Sequence, residues 1–131
     1  MLRALLVLGL VLLTAWGGGE GRGSDQYEAV VLADNKEAEA RRLGVPSPCA
    51  EPTQCGFLRF EPPDPPVCPC PTFAPYSLVS PTAAAASAAA AQQNQLASAA
   101  QALGTRRVPA TPCRCMTYPP PATCVANTCG M

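Results

Sequence analysis

Eight cysteines, all beyond residue 48, constrain this chain more than any other feature in it. Four of them sit in a short pattern that occurs twice. The first copy is Cys68-Pro69-Cys70-Pro71-Thr72-Phe73-Ala74-Pro75. The second is Cys113-Arg114-Cys115-Met116-Thr117-Tyr118-Pro119-Pro120, and both read C-x-C-x-T-[F/Y]-x-P. Cys49 and Cys55 precede the first copy, and Cys124 and Cys129 follow the second, so the frame is a near-mirror. An even cysteine number in a small chain reads as disulfides wherever the compartment is oxidising. Little else here can hold a fold. Beyond the first 17 residues the large apolar residues are few and scattered (Phe57, Leu58, Phe60, Phe73, Tyr76, Leu78, Leu96, Leu103, Tyr118), and the sequence carries sixteen prolines and ten glycines. Chains with so small a core depend on covalent staples. The expected fold is small, disulfide-rich and loop-rich, with short β-strands near 56–60 and 113–118.

The start of the chain places it in an oxidising compartment. Met1-Leu2-Arg3 is a basic opening, Ala4 to Leu13 is apolar, and Ala15-Trp16-Gly17 supplies small residues where a signal peptidase reads. Residues 1–17 are therefore expected to be a secretory signal peptide, and the product to be secreted and extracellular. The apolar run is about half of the roughly 20 residues that span a bilayer, so no membrane insertion is expected.

Residues 18–42 read as a leader or propeptide ending in Arg41-Arg42. Asp34 is placed to cap a short helix, with Glu37 as its reciprocal partner and Gly44 at its stop. No cysteine lies in this segment, so it is expected to add nothing to the frame. Residues 43–79 form the first cysteine-rich half and 105–131 the second. A second pair, Arg106-Arg107, falls in the gap between the halves. Paired arginines in a secreted precursor are where processing proteases cut, and a product beginning at Leu43 is expected.

Between the halves, residues 80–104 form an Ala/Gln-rich insertion with the strongest helix signals in the chain. Ser80 is the expected N-cap, Pro81 the first helical residue and Gly104 the stop, and alanine is the best helix former. Only Leu96 and Leu103 are large enough to pack, an apolar stripe is missing, and no heptad seam runs along it. An appended, low-complexity, loosely held helix is expected, with Ala83–Ala91 dispensable to the frame. Gly56–Phe60 reads as a strand with Phe57 on one face and Leu58 and Phe60 shared between faces. Glu61 to Pro66 reads as a stiff polyproline spacer.

No catalytic constellation assembles. The chain has no histidine, which removes Ser-His and Cys-His pairs. The acids of the cysteine region are Glu51, Glu61 and Asp64, two of them in the proline arm. The C-x-C pairs lack the C-x-x-C context of thiol exchange, and neither half has zinc-module spacing. No enzyme activity, cofactor or metal is expected. Net charge is zero, which points away from nucleic acid as a partner.

In layout, namely signal, leader, dibasic site and eight-cysteine frame, the chain resembles precursors of secreted disulfide-rich peptides of the toxin-like, cysteine-rich neuropeptide and small-inhibitor types. That resemblance implies a stapled peptide that binds an extracellular protein: a receptor, a channel or a protease. A signalling or channel-modulating role is the leading expectation. A serine-protease inhibitor presenting Arg59 or Arg114 is the second, and a structural cuticle or matrix protein the third. Phe57, Arg59, Phe60, Arg114 and Tyr118 are the candidates for contact, since aromatics and arginine dominate interfaces, with service in the small core as their alternative use.

The pairing of the cysteines is open at this level. Eight allow 105 connectivities. With bridges inside C-x-C excluded as strained rings, and with independent halves, Cys49 and Cys55 pair with Cys68 and Cys70, and Cys113 and Cys115 with Cys124 and Cys129. That leaves two arrangements per half. Bridges between the halves require the chain to double back over the alanine-rich helix.

Overall fold

The chain does double back. The structure is a computed structural model, and it describes residues 21–64, 68–105, 111–116 and 118–131. The expected signal peptide and Arg106-Arg107 lie outside these residues. Two helices, α1 (Gly21–Leu43) and α2 (Ala83–Leu103), run antiparallel against each other. A hairpin of β1 (Cys55–Phe60) and β2 (Thr72–Ser77) packs on α2, and a second hairpin, β3 (Thr123–Val125) and β4 (Thr128–Gly130), closes the chain. No described helix is long and apolar enough to cross a membrane.

The seam between the helices is built from small residues. Along α2 the buried positions are Ala86, Ala89, Ala90, Gln93, Ala97 and Ala100. Apart from Ala89, they alternate steps of four and three, the spacing that keeps one stripe of a helix facing its partner. On α1, Ala33 and Ala40 are fully buried one heptad apart. Alanine lets two backbones approach closely, so contact is made along the whole length without a large side chain. The expectation of a loosely held insertion with no seam is corrected here: the seam exists, in alanine rather than leucine.

Helix α1 is longer than the sequence signals imply, and Asp34 lies within it rather than capping it. Ion pairs Lys36–Glu39 at 2.7 Å and Glu37–Arg41 at 2.8 Å support its exposed side at helical spacing. Its end is where Gly44 was expected to stop it: the Gly44 N–H donates to the Ala40 carbonyl at 3.0 Å. The Leu43 carbonyl, left over at the helix end, accepts the Thr82 hydroxyl at 2.6 Å. One contact therefore ties the close of α1 to the start of α2. Thr82, not Ser80, occupies the α2 N-cap, with Ser80 Oγ accepting the Thr82 N–H at 3.3 Å.

The β1–β2 register pairs Cys55 with Ser77 and Phe60 with Thr72. Leu58 and Phe60, two apart and on one face, are buried against Ala40, Ala74, Ala86, Ala89 and Ala90. The Arg41 guanidinium lies 4.7 Å over the Phe60 ring. Residues before the dibasic pair thus share this core with the first hairpin of the cysteine region. The stretch 113–116 carries no strand; the second half's strands are β3 and β4.

The polar tract of α2 has its own role. Gln93 is fully buried. Its Oε1 accepts the Glu61 N–H at 3.2 Å and its Nε2 donates to the Glu61 carbonyl at 2.7 Å. Asn94 Oδ1 also accepts the Glu61 N–H at 3.1 Å, and Gln101 donates to the Pro62 carbonyl. The buried amide therefore imitates a neighbouring strand at the point where β1 leaves its hairpin. The proline arm at 61–62 is clasped to α2 rather than acting as a free spacer.

Candidate recognition surface

All eight cysteines are bonded, and every bridge joins the two halves: Cys49–Cys124, Cys55–Cys129, Cys68–Cys113 and Cys70–Cys115. The within-half pairing is corrected accordingly. The halves are not independent, because packing of α2 back along α1 brings them together.

The bridges fall in two groups. Cys124 and Cys129 face each other across the β3–β4 register, and they reach Cys49 and Cys55. Backbone bonds reinforce this suture, Cys49 N–H to Asn127 O at 3.1 Å and Cys129 N–H to Ser47 O at 2.9 Å. Ser77 Oγ donates to the Pro48 carbonyl on its other side. The two-residue turn holds Ala126 at φ 52° and Asn127 at φ 58°, the left-handed pair that tight hairpins need. The sulfurs of Cys49, Cys55 and Cys129 lie within 4.8 Å of one another. Since each is already in a bridge, they provide no thiolates for a metal.

The second group joins the two C-x-C copies, 68 to 113 and 70 to 115, with Cα separations of 5.4 and 5.1 Å. The Cys70 N–H donates to the Cys68 carbonyl at 2.9 Å, a three-residue turn centred on Pro69 whose fixed φ suits it. Arg114, between the two bridged positions, is exposed. With Cys68, Thr111, Pro112 and Cys113 it lines an open cleft of about 650 Å³.

The remaining candidates separate cleanly. Phe60 is 1% exposed and serves the core, since strand alternation turns it to the α2 side with Leu58. Phe57 and Arg59 share the opposite face of β1 and stand across from Pro75 and Phe73. Phe57 is half-buried. Arg59 is exposed and ion-paired to Glu61 at 2.7 Å. Tyr118 is 81% exposed. Phe73 and Pro75 join this outward face without having been singled out for it. Pro75 is tolerated within β2 because this two-stranded hairpin is all edge. Arg41 and Arg42 are in the last turn of α1, Arg41 held by Glu37 and Phe60. A protease reaching Arg42 meets a helical backbone that must first unwind. Nearby, burial raises the Asp34 carboxyl above its ordinary value, with Glu37 and Asp64 adding to the effect, and the Lys36 hydrogen bond lowers that of Glu39.

Comparison with protein-family models, curated proteins and solved structures finds no match for this chain.

Proposed function

We propose that this is a secreted recognition protein whose disulfide-stapled surface binds an extracellular protein, with signalling or channel modulation as its leading role. The observation that carries the reading is the set of four bridges between the halves. They tie together the half that carries Phe57, Arg59 and Phe73 and the half that carries Tyr118, so little ordering cost falls on binding. Four disulfides fit an oxidising compartment.

The test is saturable binding of the labelled, fully oxidised chain to intact cells, competed by excess unlabelled protein. Tyr118→Ala and Phe57→Ala are expected to weaken it and reduction to abolish it. Equal binding by the reduced and alkylated chain contradicts the reading. A second reading, inhibition of a serine protease, is favoured by one specific observation: an exposed arginine between two bridged cysteines.

A further inference from the structure

From the cystine connectivity around Arg114 we infer that this arginine is the residue presented to a trypsin-like protease, at a peptide bond whose cleavage cannot release the enzyme's products. The inference rests on the second reading above, inhibition of a serine protease, and it names the residue and the bond that such an enzyme meets. Arg114 is exposed and flanked by two bridged residues. Among the described residues, Arg41 is paired with Glu37 and Arg59 with Glu61, whereas Arg114 takes part in none of the ion pairs. An unneutralised guanidinium held out from a clamped backbone matches a pocket with a carboxylate at its base, the arrangement by which trypsin-like enzymes read arginine. Arg59 does not compete for this role. It lies within a paired strand and its charge is already matched by Glu61.

If the enzyme cuts, the bridges retain both new ends. Hydrolysis of the Arg114–Cys115 bond consumes one water and leaves a carboxylate on Arg114 and an amine on Cys115. The first end remains tied through Cys113 to Cys68, and the second through Cys115 to Cys70. Only Pro69 separates the two anchors, and the turn there is closed by the Cys70 to Cys68 backbone bond. The new ends stay adjacent, at a very high effective concentration, so the reverse reaction, which returns the water, competes with departure. A substrate of this form behaves as an inhibitor. Pro112, two residues before Arg114, stiffens the approach.

The experiment uses the full oxidised chain against trypsin, with residual activity read on a small chromogenic substrate and the chain followed by mass before and after reduction. The expected result is persistent inhibition at or below about 1 μM. Arg114→Ala should weaken it about 100-fold or more, Arg114→Lys should retain it, and Arg42→Ala, at another exposed arginine, should leave it within about 3-fold of the parent. Since Arg114 is exposed, each variant is required to show the same four bridges before it is compared. Removing one anchor in Cys70→Ser/Cys115→Ser should give inhibition that decays as the chain is consumed. The inference is overturned if the oxidised parent fails to inhibit at about 10 μM, if Arg114→Ala inhibits equally well, or if the parent is itself consumed. Saturable cell binding that persists without any inhibition rejects the protease while leaving the recognition reading in place.

Discussion

Replacing Gln93 by leucine tests whether the polar tract of α2 is structural. The side chain is fully buried, and its amide makes one bond to the Glu61 N–H and one to the Glu61 carbonyl. Leucine has similar bulk and makes neither. Asn94 still accepts the N–H, so the carbonyl is the group left bare. Removing one partner of a hydrogen bond and leaving the other unsatisfied costs about 1–3 kcal/mol, which is the expected loss. Gln93→Glu sharpens the test. The protonated carboxyl can accept from the N–H and donate to the carbonyl as the amide does; the ionised form cannot donate and is a buried charge. Burial raises the folded-state pKa of the introduced carboxyl above its unfolded value of about 4.3. The penalty is therefore absent below the unfolded value and grows as pH rises through that range and beyond. Urea unfolding without reductant, followed by far-ultraviolet circular dichroism at acid and neutral pH, measures both variants. If Gln93→Leu stays within about 0.5 kcal/mol of the parent, or Gln93→Glu shows no extra pH dependence, the clasp does not hold the proline arm.

Further expected outcomes concern the seam, the leader, the hairpin and the bridges. Ala97→Leu forces a large side chain into the alanine seam and should lower stability by about 1–3 kcal/mol, whereas the same change at exposed Ala99 should be near neutral. A chain beginning at Leu43 lacks Ala33, Ala40 and Arg41, and it should unfold at a lower temperature than one that includes α1; equal midpoints would show that α1 is outside the cooperative unit. Ala126→Asp relieves a left-handed alanine and should raise stability by about 0.5 kcal/mol, read in the same urea titration. Proteolysis without reductant and mass spectrometry of the fragments should recover Cys49 linked to Cys124 and Cys55 linked to Cys129; a fragment linking Cys49 to Cys68 or Cys70 would contradict the fold.

How much of this structure is legible in the sequence depends on how local each signal is. The cysteine frame, the strand near 56–60 and the stop of α2 at Gly104 depend on neighbours in the chain, and they can be read from it. Cysteine pairing depends on where α2 goes, and nothing within 80–104 states that directly. The direction lies in Ala86, Ala90, Ala97 and Ala100, whose spacing is that of a seam but whose size imitates low complexity. Nothing in the sequence marks Gln93 as buried, because its partner is a backbone group thirty-two positions away. The same reason hides the role of α1: with no cysteine and few large side chains, it contributes through Ala33 and Ala40, where the absence of bulk is what allows contact. Of the contact candidates, the alternation of β1 separates Phe60 from Phe57 and Arg59. Arg114 gains its meaning only once its neighbours' partners are known.

The span of the bridges also dictates an order of events in time. Cys49 and Cys55 bond to partners 75 and 74 positions further along. A ribosome adding about 5–20 residues per second delivers those partners roughly 4–15 seconds after the first cysteines have been made. During that interval the thiols within reach are Cys49, Cys55, Cys68 and Cys70 themselves, none of which is a partner of another in the finished protein, so oxidation would join the wrong residues. A chain built this way has to stay reduced, or be repeatedly reshuffled, until Cys129 has emerged. The yield of correctly joined molecules then depends on the isomerase activity of the host compartment, and heterologous expression should improve more from added isomerase than from stronger oxidant.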